Sequence, residues 1–250
     1  MYNQQKTKKV LLVCLTTLVI FGIVSLYLAN AVPEGATISG SPSIDAGPNK
    51  TAQSRQDPGG RIITLSLSLD QQDYSWKAYV GNVTGTYVLK NSNNYSIYEW
   101  PLGAAITGEV YISRNSSANF STGAVSCAST AEMLAEQTIL GMSSSATDNI
   151  NGTFNSTNHA GFGVGYNNIA LNTCPAIALW VNDTSQSASS TAVFQEIALH
   201  DGNNMVYASL INNDQTGFDN TTRFDFQAIV AENRSSSTGT PYYFYIELGS

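Results

Sequence analysis

From Val10 to Ala29 the chain runs for 20 residues without a charge, directly after Lys6, Lys8 and Lys9. A run of about 20 apolar residues spans a bilayer, whereas the core of a cleavable signal is about 7 to 15 residues. Length therefore favours an anchor, while Ala29-Asn30-Ala31 has the small-x-small form of a signal-peptidase site. Both readings orient the chain the same way. Basic residues precede the run and none follows until Lys50, so the remainder faces outward. A buried core helix does not suit a terminal, uninterrupted run flanked by lysines. A pilin-type leader would need a Gly or Ala before the apolar run, where Lys9 abuts Val10.

Residues 1–31 are thus expected to be a signal peptide or N-terminal membrane anchor, and the rest extracytoplasmic, membrane-anchored or secreted. Residues 32–60 hold four of the seven prolines and much Gly and Ser, the composition of a flexible stalk. At Arg61 the character changes: Ile63, Leu65, Leu67 and Leu69 alternate with Thr64, Ser66 and Ser68, the period of a half-buried strand. Residues 61–250 are expected to form an extracytoplasmic β-rich domain, with a subdivision near 143–170 as an alternative.

Beyond the lysine cluster the chain carries eight basic residues against 18 acids. Phosphate binding needs clustered Lys and Arg, so nucleic acid is excluded as a partner. Only 12% of residues are charged, so the surface must be built from Ser, Thr, Asn, Gln and Gly. Asn-x-Ser/Thr occurs ten times, at Asn49, Asn82, Asn94, Asn115, Asn119, Asn151, Asn155, Asn182, Asn220 and Asn233. Composition alone generates some of these; an outside location and turn contexts give them meaning as glycosylation candidates. Cys14 lies in the apolar run, which leaves Cys127 and Cys174 as the pair expected to form a disulfide in an oxidising space.

Strand-like segments recur at Trp76 to Val80, Thr86 to Leu89, Tyr95 to Trp100 and Gly108 to Ser113. They continue at Ala176 to Val181, Ala192 to Leu199, Met205 to Ile211, Arg223 to Val230 and Tyr242 to Leu248. Gly81-Asn82-Val83-Thr84-Gly85 between the first two reads as a hairpin turn. Ser129 and Glu132 have the spacing of a capping box, with Gly141 as the stop, so one helix is expected between them. Ala131, Leu134, Ala135, Thr138 and Ile139 would pack on a sheet, leaving Glu132 and Glu136 exposed. Residues 143–168 read as a long loop. Tyr242 to Leu248 is apolar or aromatic at nearly every position, as in a core strand buried on both faces; the alternative is a strand donated to a neighbouring subunit. The fold class expected is mostly β, an antiparallel β-sandwich of one or two domains with a single short helix, preceded by a membrane helix.

Val32-Pro33-Glu34-Gly35 after an apolar N-terminus, then Gly81-Asn82-Val83-Thr84-Gly85, Tyr98-Glu99-Trp100, Gly108-Glu109-Val110-Tyr111 and Cys127, form a set of short motifs. Gly217-Phe218-Asp219, Asp225-Phe226-Gln227 and Tyr243-Phe244-Tyr245 extend it. Together these resemble uncharacterised surface and envelope proteins of DPANN-type archaea. The resemblance implies an envelope location and supplies no activity or site residues.

No motif announces catalysis. His159 and His200 lack ligand-spaced partners, and there is no Gly-x-Ser-x-Gly, Walker loop or Cys-x-x-Cys. No cofactor is expected. Asn212, Asn213, Asp214 and Asp219 gather oxygen ligands, which makes Asp214 and Asp219 a Ca²⁺ candidate, although the same composition makes a solvated turn. The function expected is a structural or interaction glycoprotein of the cell surface, of pilus-like, envelope or adhesive type and not an enzyme. Its partners would be the membrane through the N-terminal segment and other envelope proteins, itself or glycans. A carbohydrate-binding or host-recognition module and a secreted hydrolase are the alternatives.

Overall fold

The computed structural model describes residues 32–38, 56, 59, 75–93, 95–101, 106–121, 123–233 and 239–249. The expected span Val10 to Ala29, the strand beginning at Ile63, and the sequons at Asn49 and Asn94 lie outside these. Among the described residues no helix is long and apolar enough to cross a membrane.

The protein is mostly β, with antiparallel sheets and two helices among the described residues. The strands are β1 (Glu34–Gly35), β2 (Ser75–Gly81), β3 (Thr86–Lys90), β4 (Ser96–Pro101), β5 (Thr107–Ser113), β6 (Ser126–Cys127), β7 (Phe162–Val164) and β8 (Asn167–Ile169). They continue with β9 (Ala176–Ala178), β10 (Gln195–His200), β11 (Met205–Leu210), β12 (Gln215–Thr216), β13 (Arg223–Phe224), β14 (Phe226–Glu232) and β15 (Tyr243–Gly249). The helices are α1 (Thr130–Ile139) and α2 (Ile150–Thr153).

A seven-stranded sheet runs β1-β15-β5-β11-β10-β6, with β9 sharing the outer edge of β10 with β6. Its central strands β5, β11 and β10 bury both faces, because successive side chains point to opposite sides and each side meets its own core. On one face Val110, Ile112, Ala198 and Tyr207 pack with Ala228 and Val230 of β14 and with Met133, Leu140, Ile150 and Phe154 of the helical segment. On the other, Tyr111, Ile197, Leu199, Val206 and Tyr245 pack against Phe120, Phe162, Val164 and Ile169. The strand expected to be buried on both faces is β15. Tyr245 enters the second core, while Phe244, Ile246 and Leu248 pack against the first.

β2 and β14 form a separate two-stranded ribbon over the first face. Its unpaired edge is satisfied by side chains of the main sheet: the Ile229 N–H donates to Glu196 Oε2 at 2.8 Å, and the Ser209 hydroxyl donates to the Gln227 carbonyl at 2.7 Å. Buried backbone groups need such partners, and these two tie the ribbon down.

Several sequence expectations change. β2 and β3 flank Gly81 to Gly85 but do not pair with each other; β2 pairs with β14 and β3 with β4. The cause is a long-range competitor: the Val83 N–H donates to Asp225 Oδ2 at 2.7 Å and the Asp225 N–H to the Gly81 carbonyl at 2.9 Å. Glu34–Gly35, read as stalk, is an edge strand, and the Ala36 N–H donates to the Phe244 carbonyl. The loop expected over 143–168 contains α2 and the start of a β7–β8 hairpin.

Helix α1 has the expected capping box, with the Glu132 N–H donating to the Ser129 hydroxyl and the Ser129 N–H to the Glu132 carboxylate. Its orientation is the reverse of that expected. Met133, Glu136, Gln137 and Leu140 are buried, whereas Leu134 and Ile139 are exposed. Glu136 is drawn inward by the Arg114 guanidinium, which grips both carboxylate oxygens, at 2.5 and 2.7 Å. Gln137 Oε1 accepts the Asn151 N–H at 2.8 Å. Two polar anchors outweigh a short apolar stripe, because a buried charge left unpaired would cost several kcal/mol.

Candidate interaction surface

The Asn-rich segment between β3 and β4 turns the chain back on itself: Asn91 Oδ1 accepts the N–H groups of Asn93 and Tyr95, and the Asn91 N–H donates to the Tyr95 carbonyl. The register sets Leu89 opposite Tyr98 and Val88 opposite Glu99, with a bulge between Leu89 and Lys90. Leu89, Tyr98 and Trp100 therefore share one face, and Val88 and Ile97 the other.

An amphipathic hairpin ordinarily buries one of its faces. Here Leu89, Ile97, Tyr98 and Trp100 are all exposed, Tyr98 by 65% and Trp100 by 49%. The Tyr98 and Trp100 rings lie side by side, centroids 6.1 Å apart and tilted by 37°. Among the described residues β3 and β4 pair only with each other. The hairpin is anchored at its base by buried Val83 on one side and by Ile106, packed on the first core, on the other. Contiguous exposed apolar surface of this kind marks interaction sites in stable proteins.

Asp225 organises the end of the molecule from which the hairpin springs. Its Oδ2 takes the Val83 N–H, its Oδ1 takes the Asp214 N–H at 2.8 Å, and its carbonyl takes the Asn212 N–H. Bonds from backbone N–H groups to a carboxylate are stronger than those to neutral acceptors, so this one side chain ties the loop after β2 to the loop after β11. Sequence reading missed this residue because its partners are far away in the chain and no local motif marks it.

The Ca²⁺ candidates Asp214 and Asp219 are engaged in separate turns. Arg223 donates to the Asp214 carbonyl and reaches its carboxylate at 3.4 Å. Asp219 Oδ1 accepts the N–H groups of Thr222 and Thr221, and this bonding, from Thr222 first, holds its carboxyl below the ordinary range. Among the described residues no group of three or more His, Cys, Asp or Glu converges to hold a metal.

The histidines have structural partners that the sequence did not show. His159 is fully buried; its Nε2 accepts the N–H groups of Thr173 and Cys174 at 3.0 and 2.9 Å, and its Nδ1 faces the Ala160 carbonyl at 2.6 Å. Two donors at Nε2 place the ring proton on Nδ1. His159 thus fixes the segment that carries Cys174, which is bonded to Cys127 as expected, with Cα atoms 4.8 Å apart. A shallow open groove of ≈ 410 Å³ runs beside the bridge, lined by Val125, Ser126, Asn167, Ile169 and Thr173, with no ionisable side chain on its walls. His200 Nδ1 accepts the Gly202 N–H at 3.1 Å and lies 3.1 Å from Glu132.

Two glutamates face each other across β5 and β15. Glu109 and Glu247 are in register and are 9% and 8% exposed. The Tyr111 hydroxyl donates to Glu247 at 3.1 Å, and the Gly165 N–H reaches both Glu247 oxygens. Burial, with Glu247 beside it, pushes the Glu109 carboxyl up to about 8, and burial also raises Glu247. Glu196, fully buried between ribbon and sheet, is raised well above its ordinary value by desolvation. All three carboxyl groups are buried, and those of Glu247 and Glu196 accept backbone N–H groups, from Gly165 and Ile229.

The sequons divide by accessibility. Asn82, Asn119, Asn155, Asn182 and Asn220 are exposed, whereas Asn115, Asn151 and Asn233 are half-buried. Comparison with known proteins finds no matching family model, curated protein or solved structure.

Proposed function

We propose that this chain is a non-catalytic cell-surface glycoprotein of structural or interaction type, presenting the β3–β4 hairpin as its contact surface. The observation that carries the reading is the hairpin itself, whose two faces both expose large apolar side chains, Val88, Leu89, Ile97, Tyr98 and Trp100, while the central strands β5, β10 and β11 bury theirs. The Cys127–Cys174 bridge supports an oxidising location, since such bonds persist outside the cytosol. In this reading the β2–β14 ribbon and the seven-stranded sheet are the two leaves of a β-sandwich that acts as a rigid mount, and the resemblance to DPANN-type envelope proteins points the same way.

The test compares the full-length chain with a Tyr98→Ser/Trp100→Ser variant. Protease shaving of intact cells should release the wild-type domain, and the variant should lose self-association in sedimentation or adhesion to cells while keeping its thermal midpoint. An unchanged association profile, or a domain protected from shaving, would sink the reading. The Tyr98–Trp100 pair also favours a carbohydrate-binding module, because adjacent exposed rings offer stacking surface to a pyranose. A glycan array on which Trp100→Ala abolishes retention would select that reading over a protein contact. A hydrolase is the least supported: turnover of a glycan, peptide or ester that is lost on one side-chain substitution would establish it.

A further inference from the structure

The loop that Asp225 binds at Val83 and the two loops that Gln227 joins at Trp180 and Phe218 carry three of the exposed sequons, and on this observation, together with the surface reading above, we propose that Asn82, Asn182 and Asn220 are N-glycosylated as a group, forming a collar at the end of the molecule from which the aromatic hairpin projects. Asn82 and Thr84 flank Val83, whose N–H is bound by Asp225. Asn182 sits in a tight turn at φ 52°, and its N–H donates to the Gly217 carbonyl at 2.8 Å, as the Asp183 N–H does to Phe218. Asn220 tips the 217–222 loop, which is closed by the Gly217 N–H donating to the Thr222 carbonyl and by Asp219 binding Thr221 and Thr222. Gln227 joins these loops, accepting the Phe218 N–H and donating to the Trp180 carbonyl, both at 2.8 Å.

Each of the three asparagines is exposed, as are Thr84, Thr184 and Thr222, so both ends of each acceptor motif are open to an enzyme. The other sequons differ. Asn115 Nδ2 donates to the Ser117 carbonyl and Asn155 Nδ2 to the Gly152 carbonyl, and Asn151 lies half-buried within α2. Asn119 is exposed but lies at the opposite end of the sheet, where its N–H donates to Asp201 beside the β10–β11 turn.

The donor required is a lipid-linked oligosaccharide. The anomeric C–O bond to its lipid phosphate breaks, the phosphate leaves with the bonding pair, a new bond forms from the asparagine Nδ2 to the anomeric carbon, and the amide gives up one proton. Glycans so placed would shield the polar loops and leave the apolar hairpin as the bare contact.

The experiment is site-resolved glycopeptide mass mapping of the full-length chain, made in its own cells or in a host with an oligosaccharyltransferase. It is read beside protease shaving and alongside Asn82→Gln, Asn182→Gln and Asn220→Gln. Each substitution should remove one glycan mass. Thr84→Ala, Thr184→Ala and Thr222→Ala, which keep the asparagine, should do the same if a Gln variant fails to fold. Peptides containing Asn115, Asn151 and Asn155 should be bare. A chain that is shaved from cells with all three positions unmodified, or with its sugar confined to Asn115, Asn151 and Asn155, overturns the collar and leaves the surface reading standing. A chain protected from shaving overturns the surface reading itself.

Discussion

β5 and β4 are short strands of similar apolar content with opposite fates. In β5, Val110, Tyr111 and Ile112 are buried on both faces between β15 and β11, whereas in β4, Ile97, Tyr98 and Trp100 are all exposed. The difference does not lie in local propensity, which suits both for strand. It lies in neighbours: β5 is laid under two cores, and β4 meets only β3. Burial is a property of where a strand is delivered, and the same side chain is worth several kcal/mol in one strand and almost nothing in the other.

The sharpest way to break that contrast is to make equal truncations in both. Ile112→Ala should cost about 2 to 5 kcal/mol, the range for an aliphatic core side chain, while Ile97→Ala should stay within about 0.5 kcal/mol. Urea unfolding with a common slope checks it, and a large loss at Ile97 would show that the hairpin is covered. Removing the bridge with Cys127→Ser and Cys174→Ser together should cost about 2 to 4 kcal/mol, read by the same titration.

A pH titration sharpens the comparison on the buried side. Glu109, pushed to about 8 in the folded chain from its ordinary 4.5, binds its proton more tightly when folded. Its stabilisation is therefore fully present below about pH 4.5 and lost as pH rises through about 8, each unit of separation being worth about 1.4 kcal/mol. Glu196 and Glu247, raised in the same direction by desolvation, add to the trend. The thermal midpoint should fall between pH 5 and 8.5, and Glu109→Gln should flatten the slope. A midpoint that rises over that interval would contradict the burial of the pair. The smallest expected effect is on the hairpin, where Tyr98→Ser should leave the thermal midpoint within about 2 °C while weakening association or adhesion.

Much of the fold was legible because it is written locally. The capping box of Ser129 and Glu132 and the nearly continuous apolar run of β15 needed only near neighbours, and the Cys127–Cys174 pairing followed from elimination. What was hidden depends on distant partners. Val83 was read as part of a hairpin turn because nothing nearby reveals that Asp225 binds its N–H. Leu134 and Ile139 were placed inward because Arg114, which turns Glu136 into the core, lies on another element. His159 looked idle because its partners are backbone N–H groups, which every residue but proline possesses and no motif distinguishes. The exposure of the β3–β4 hairpin has no sequence signal for the same reason: a strand pattern says that there are two faces and says nothing of whether either will be covered.

The first described strand pairs with the last, Glu34 opposite Ile246, and β5 is flanked on one side by that same final strand. The ribbon repeats the arrangement, with Gly81 opposite Phe226. A nascent chain therefore cannot form the ribbon until β14, or complete the large sheet until β15, has left the ribosome, and contacts so distant in sequence form slowly. Until β15 has been made the large sheet stays open along β5, the condition in which a polypeptide can still be threaded through a narrow pore, and the fold itself sets that delay.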